Sequence, residues 1–145
     1  SVTFSSIPAT YRDLVLVCNI LGASGANAFS SISIRFNGDT GSNYNTVYMR
    51  GDGSAATSVS ETRSSFGGNV TALTSERALV ILQALDYAVT DKHKSVLYRD
   101  ARAGQRTAAS AGRWASTNAV NEISISSALN NYDTGSSFYL YGIVS

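Results

Sequence analysis

Apolar and polar residues alternate with a period of two along much of this chain, the pattern of strands that bury one face. The clearest case is Ser31-Ile32-Ser33-Ile34-Arg35-Phe36, which turns Ile32, Ile34 and Phe36 inward and leaves Ser31, Ser33 and Arg35 outward. Residues 121–126 alternate in the same way, with Ile123 and Ile125 inward. Residues 137–143 direct Phe138 and Leu140 inward, with Tyr139 and Tyr141 outward or against a partner. Two runs, residues 13–21 and 77–87, are apolar with little alternation. Runs of this kind predict central strands buried on both faces. In the second run Ala78, Leu79, Leu82 and Leu85 also satisfy one face of a helix, and strand is the preferred reading.

Turn chemistry separates these elements. Pro8 ends a short first strand at Val2-Thr3-Phe4, and the small residues 22–27 form a loop. Asn37-Gly38 is a strong tight-turn signal, and Arg50-Gly51-Asp52-Gly53-Ser54 is a second turn. Between them Tyr44, Val47, Tyr48 and Met49 form a less regular stretch. Residues 57–63 read as a polar edge strand, broken at Phe66-Gly67-Gly68-Asn69. Residues 91–94 are a charged turn that leads into a strand from Ser95 to Ala103. Residues 106–114 then return in a hairpin about Gly104, with Thr107, Ala109, Ala111 and Arg113 on one face and Ala108, Ser110 and Trp114 on the other. Residues 130–135 are a turn-rich loop before the last strand. Eight or nine short strands with turns between them predict an all-β fold. We expect a single domain over residues 1–145, a jelly-roll-like antiparallel β-sandwich.

Composition narrows the function classes. Eleven Lys and Arg against ten Asp and Glu give a formal charge of +1, which supplies no basic field for nucleic acid. No apolar run has the length of a membrane span. Only 14% of residues are charged, so the polar surface is built from Ser, Thr, Asn and Gly, as suits a protein held in an assembly. The start at Ser1 fits removal of an initiator Met, and on that basis a complete chain is expected. Cys18 is the one cysteine and lies in the first apolar run, which excludes an intrachain disulfide and points to an inert buried thiol.

Chemistry-bearing residues are few, and no enzyme is expected. His93 sits between Lys92 and Lys94 in a turn, without a nucleophile motif beside it. Zinc lacks Cys and His ligands. Asn37, Asp39 and Asp52 lie in Gly-rich turns, but calcium requires more oxygens than these loops supply, and capping of their own turns is the better account. Arg50-Gly51-Asp52 spells an adhesion tripeptide that arises easily by chance. Lys92, Lys94, Arg99, Arg102, Arg106 and Arg113 concentrate positive charge in one region, with Asp91 and Asp100 interleaved. On a strand Arg99 and Arg102 face opposite ways, so ion pairs are expected there, within the chain or between subunits. Tyr44, Tyr48, Tyr132, Tyr139 and Tyr141 are available to stack on a sugar or to pack at an interface. Trp114 is equally placed to plug the core or to anchor an interface.

Four blocks carry a family resemblance: Thr3-Phe4-Ser5-Ser6-Ile7-Pro8-Ala9-Thr10-Tyr11, Ile34-Arg35-Phe36-Asn37-Gly38-Asp39-Thr40-Gly41-Ser42-Asn43-Tyr44, Leu85-Asp86-Tyr87-Ala88, and Ser137-Phe138-Tyr139-Leu140-Tyr141-Gly142-Ile143. Their order resembles the small β domain of tailed bacteriophages, found in virion-surface proteins such as capsid cement (decoration) proteins and tail-fibre tips. The resemblance implies a jelly-roll-like sandwich that commonly assembles as a homotrimer, and no catalytic residue carries over from these blocks; no metal or cofactor is expected from the residues themselves. It makes Arg35, Phe36, Asn37, Gly38, Asp39, Gly41 and Tyr44 a structural turn block. Trp114, Tyr132, Tyr139, Tyr141, Arg99 and Arg102 are the candidate interface residues. The expected function is that of a cement protein on the outer face of the capsid, bridging subunits of the major capsid protein. The alternative is a receptor- or carbohydrate-binding tip domain of a tail fibre or spike, with a host surface glycan or receptor as partner.

Overall fold

The structure, a computed structural model, describes residues 1–22, 30–72, 76–102, 104–127 and 131–144. Those residues form eleven strands and no helix: β1 (Val2–Phe4), β2 (Asp13–Ile20), β3 (Ser30–Phe36), β4 (Tyr44–Gly51), β5 (Ala56–Arg63), β6 (Phe66–Ala72), β7 (Ala78–Leu85), β8 (Lys94–Arg102), β9 (Arg106–Trp114), β10 (Ile123–Ser127) and β11 (Ser137–Ile143). Two antiparallel sheets pack as a sandwich, one of four strands in the order β1-β10-β3-β6 and one of seven in the order β11-β2-β7-β8-β9-β4-β5. This is jelly-roll order with two additions: the β7–β8 hairpin inserted between β2 and β9, and β11 laid along the outer edge.

The core forms where the inward rows of both sheets meet. From the small sheet come Ile32, Ile34, Phe36, Phe66, Ile123 and Ile125; from the large one come Leu14, Leu16, Cys18, Ile20, Val80, Leu82, Val96 and Trp114. Burial pushes the Cys18 thiol up to about 12, which keeps it protonated and inert. Gly112 lets the Phe66 ring lie against β9, since a Cβ there would stand 2.7 Å from the ring.

Four expectations need correction. β2 and β7 are central strands, but only one face of each is covered. Leu79 and Ile81 are about half exposed because none of the described residues forms a layer outside the seven-stranded sheet. The stretch around Tyr44 is a regular strand whose inward residues are Tyr44, Thr46 and Tyr48, while Val47 and Met49 face out. Phe66-Gly67 begins β6 and breaks nothing. Gly67 adopts φ +93° at a register shift opposite Ser31 and Ser33, where a Cβ would collide with the Ile32 carbonyl oxygen. The strand count is therefore eleven, not eight or nine. Strand replaces helix at Ala78–Leu85, as preferred. The expected end of the following strand at Ala103, and most of the 22–27 loop, lie outside the described residues.

Candidate functional site

Strands β8, β9 and β4 run side by side, and their inward faces carry polar residues at both ends. At one end the ladder aligns Lys94, Trp114 and Tyr44. Here the turn after β3 folds back. Asn37 and Gly38 both have positive φ, and the Asp39 N–H donates to the Phe36 carbonyl at 3.0 Å. Asp39 is the hub. Its carboxylate accepts from the Gly41 N–H at 2.8 Å, from Asn43 Nδ2 at 2.9 Å and from the Trp114 indole N–H at 2.7 Å. The indole bond, above all, holds the Asp39 carboxyl below its usual range.

Trp114 is buried, edge-on to Phe36 at 5.7 Å and stacked on Tyr44 at 6.5 Å, so it belongs to the core and is not an interface residue. Tyr44 is also fully enclosed; its hydroxyl donates to the Asp39 carbonyl and accepts from the Phe36 N–H. Arg35 is braced on the Ser64 carbonyl, and the Asn37 amide ties the turn to Ala119, Asn121 and Glu122. Lys94 is enclosed, and its ammonium donates to the carbonyls of Lys92 and Thr117.

The opposite end is built differently. The ladder runs Asp100, Ala108, Arg50 and Thr57 in one row, with Arg102 and Arg106 in the next. Ala108 is small, so the longer side chains on either side converge above it. Asp100 is 2% exposed, and its Oδ1 finds no hydrogen-bond partner among the described residues. Burial pushes its carboxyl up to about 6. Arg106 Nε is likewise enclosed without an acceptor. Burial, and then the neighbouring charge of Arg50, lowers the Arg106 pKa. Arg102 is buried and pairs with Glu76 at 3.3 Å, which removes it from the candidate interface.

Two cavities open here. One of about 150 Å³ is lined by Arg50, Asp52, Ala55, Thr57, Gln105 and Arg106. The other, of about 750 Å³, has Leu79, Ala101 and Gly51 in its wall, polar groups including Asn19, Glu76, Arg77 and Thr107, and shares Asp52, Gln105 and Arg106 with the first. Asp52 caps its own turn, accepting from Ser54 and the Ala55 N–H.

The outer face of the seven-stranded sheet is the third feature. Its register places Tyr139, Val17, Ile81, Arg99, Ala109 and Met49 in one row, and Tyr141, Val15, Gln83, Leu97, Ala111 and Val47 in the next. Seven of these or their neighbours (Val47, Met49, Leu79, Ile81, Leu97, Tyr139 and Tyr141) are about half exposed or more. Strand and residue spacings make this face on the order of 600 Å². That is the upper end of what monomers leave open. It also approaches the roughly 800 Å² each partner gives to a standard interface. Neither row contains a carboxylate, and Arg99 stands in the middle. Tyr139 and Tyr141 stack on each other at 6.3 Å, with planes 28° apart.

Of the other predicted residues, Tyr48 is buried and unavailable to a ligand, and Tyr132 packs its ring on Phe138 at 4.9 Å. His93 is exposed. Sequence reasoning missed the Asp39–Trp114 bond and the convergence of Arg50, Asp100 and Arg106, both of which depend on cross-strand register. No membrane-spanning helix and no cluster of three metal-ligating side chains occurs among the described residues. The chain matches no protein-family model, no curated protein and no solved structure.

Proposed function

We propose that this chain is a bacteriophage capsid cement protein, docking on the outer capsid surface and bridging neighbouring subunits of the major capsid protein. The observation that carries the reading is the open apolar face of the seven-stranded sheet. About half of each large apolar side chain on it remains in water, and burial against a partner recovers roughly 25 cal/mol for every Å² covered. With 14% of its residues charged and a net charge of +1, the chain has little electrostatic steering to add to this contact area. Arg99, the one charged residue in the two rows, selects a partner with a carboxylate opposite it and disfavours two such faces meeting. A homotrimer, as the family resemblance implies, then forms through other surfaces and leaves this face for the capsid.

The Tyr139–Tyr141 pair supports a second reading, a tip domain that stacks a host glycan on an aromatic platform. Calibrated mass spectrometry of purified particles separates the two. A copy number that scales with the shell lattice is expected for cement. A count set by the tail symmetry favours the tip domain, and absence from particles removes both. Leu97→Glu, which sets a charge in the middle of the face, is expected to abolish attachment to particles while leaving the fold intact. Attachment at the wild-type level would exclude this face as the docking surface.

A further inference from the structure

We propose that Arg50 and Arg106 form an anion subsite that holds the carboxylate of an acidic sugar, whose ring and hydroxyls occupy the adjoining larger cavity. The site does not rest on the cement reading, since either a capsid or a tail protein would carry it.

The geometry selects this ligand in three steps. First, the two guanidinium groups line one cavity, and among the described residues no carboxylate lies within ion-pair distance of either. Asp100, the nearest inward acid on the ladder, makes no ion pair with them, and Asp52 is engaged with its own turn. With Arg50 and Arg106 against Asp52, the charged lining of the cavity sums to one positive charge, and guanidinium forks match planar oxyanions. Second, about 150 Å³ suits one carboxylate and not a whole ligand. Third, the neighbouring cavity of about 750 Å³ has the size of a small-molecule site. Beside their own bonds to Arg77 and Arg102, the oxygens of Asn19 and Glu76 keep lone pairs to accept hydroxyl donors, and Leu79 and Ala101 offer an apolar wall to a sugar ring. An acidic peptide would bring amides and side chains but no ring of hydroxyls to satisfy that set.

Titration calorimetry with glucuronate, glucose and glutamate tests the assignment. Glucuronate is expected to bind saturably and about tenfold or more tightly than glucose, the worth of a charge-assisted pair. Glutamate, with the charge but no sugar ring, is expected to bind more weakly than glucuronate. Arg50→Gln and Arg106→Gln should each lower glucuronate affinity about tenfold or more. Arg50→Lys and Arg106→Lys, which keep the charge but lose the fork, should lose part of it. Arg99→Gln, on the outer face, should leave the affinity unchanged. No saturable glucuronate binding, equal affinity for glucose, or an equal loss with Arg99→Gln would overturn the anion subsite. Glutamate binding as tightly as glucuronate would overturn the sugar assignment. Each variant is compared at matched thermal stability, and the Lys pair keeps the test valid where a Gln variant fails to fold.

Discussion

The two ends of the β8–β9–β4 ladder use similar residue types to opposite effect. At the Trp114 end each polar group discussed above has a partner: the indole on Asp39, the Tyr44 hydroxyl on main-chain groups, the Lys94 ammonium on two carbonyls. At the Arg106 end a buried carboxylate oxygen and a buried guanidinium nitrogen lack partners among the described residues, and two cationic side chains share one small cavity. An unmade hydrogen bond costs more than a made one contributes. The first end is therefore organised for stability, and the second holds a local penalty, of which a bound anion relieves only the guanidinium's share.

The largest effect is expected at the satisfied end. Trp114→Ala removes the ring that Phe36 and Tyr44 pack on and leaves Asp39 without its main donor, so unfolding free energy should fall by about 3–5 kcal/mol. Urea denaturation measures this, and a loss under about 1 kcal/mol would mean that the end does not anchor the sandwich. Asp39→Ala comes next, at about 2–3 kcal/mol, because it orphans a buried indole N–H and opens the turn. Its pH dependence has a definite sign. The Asp39 pKa is lowered on folding, so its contribution is present above the ordinary value of 3.8 and is lost as pH falls through the folded value.

Asp100 runs the other way. Its pKa rises from 3.8 to about 6, so the folded state holds the proton more tightly than the unfolded chain. Stability from this group is full below the ordinary value and declines as pH rises through the folded one. A shift of this size corresponds to at most about 3 kcal/mol. That net shift already contains the attraction to Arg106, and the amide of an Asn, buried with donors to satisfy, offsets part of the gain. Asp100→Asn is therefore expected to stabilise the protein by about 1–2 kcal/mol at neutral pH. The gain should vanish in acid, below the ordinary value of 3.8. Thermal melts across that range measure it, and a pH-independent difference would show that Asp100 ionises as freely in the folded protein as in the unfolded chain.

This contrast was only partly legible in the sequence. Period-two alternation located β3, β10 and β11 with the correct faces inward, because each offers one apolar face; on β9 it separated the two faces without showing which is buried, since both carry alanines. The same logic failed at β4, where Tyr44 and Tyr48 face in while Val47 and Met49 face out, so both faces read as apolar. It also failed for the outer sides of β2 and β7, since a run of apolar residues does not reveal whether a second layer covers it. Asp39 and Trp114 are 75 positions apart, and Arg50 and Arg106 meet only through Ala108 on the intervening ladder. The concentration of basic residues after position 91 was visible. Which of them end up outside (Arg99), buried and paired (Arg102) or crowded against another cation (Arg106) is decided by register alone.

The smallest effect sharpens the comparison most. Arg50 is partly exposed and faces Arg106 with no carboxylate in ion-pair reach among the described residues, so solvent screens the repulsion but does not remove it. Arg50→Gln should leave the fold intact and change stability by no more than about 0.5 kcal/mol, in the stabilising direction. The same substitution is the one expected to weaken glucuronate binding about tenfold. A residue that lowers affinity when removed but adds nothing to stability is held for binding, as at other sites where function and stability compete. If Arg50→Gln instead costs more than about 1 kcal/mol in urea denaturation, the guanidinium makes a structural bond at this end. The two ends of the ladder would then differ in composition and not in purpose.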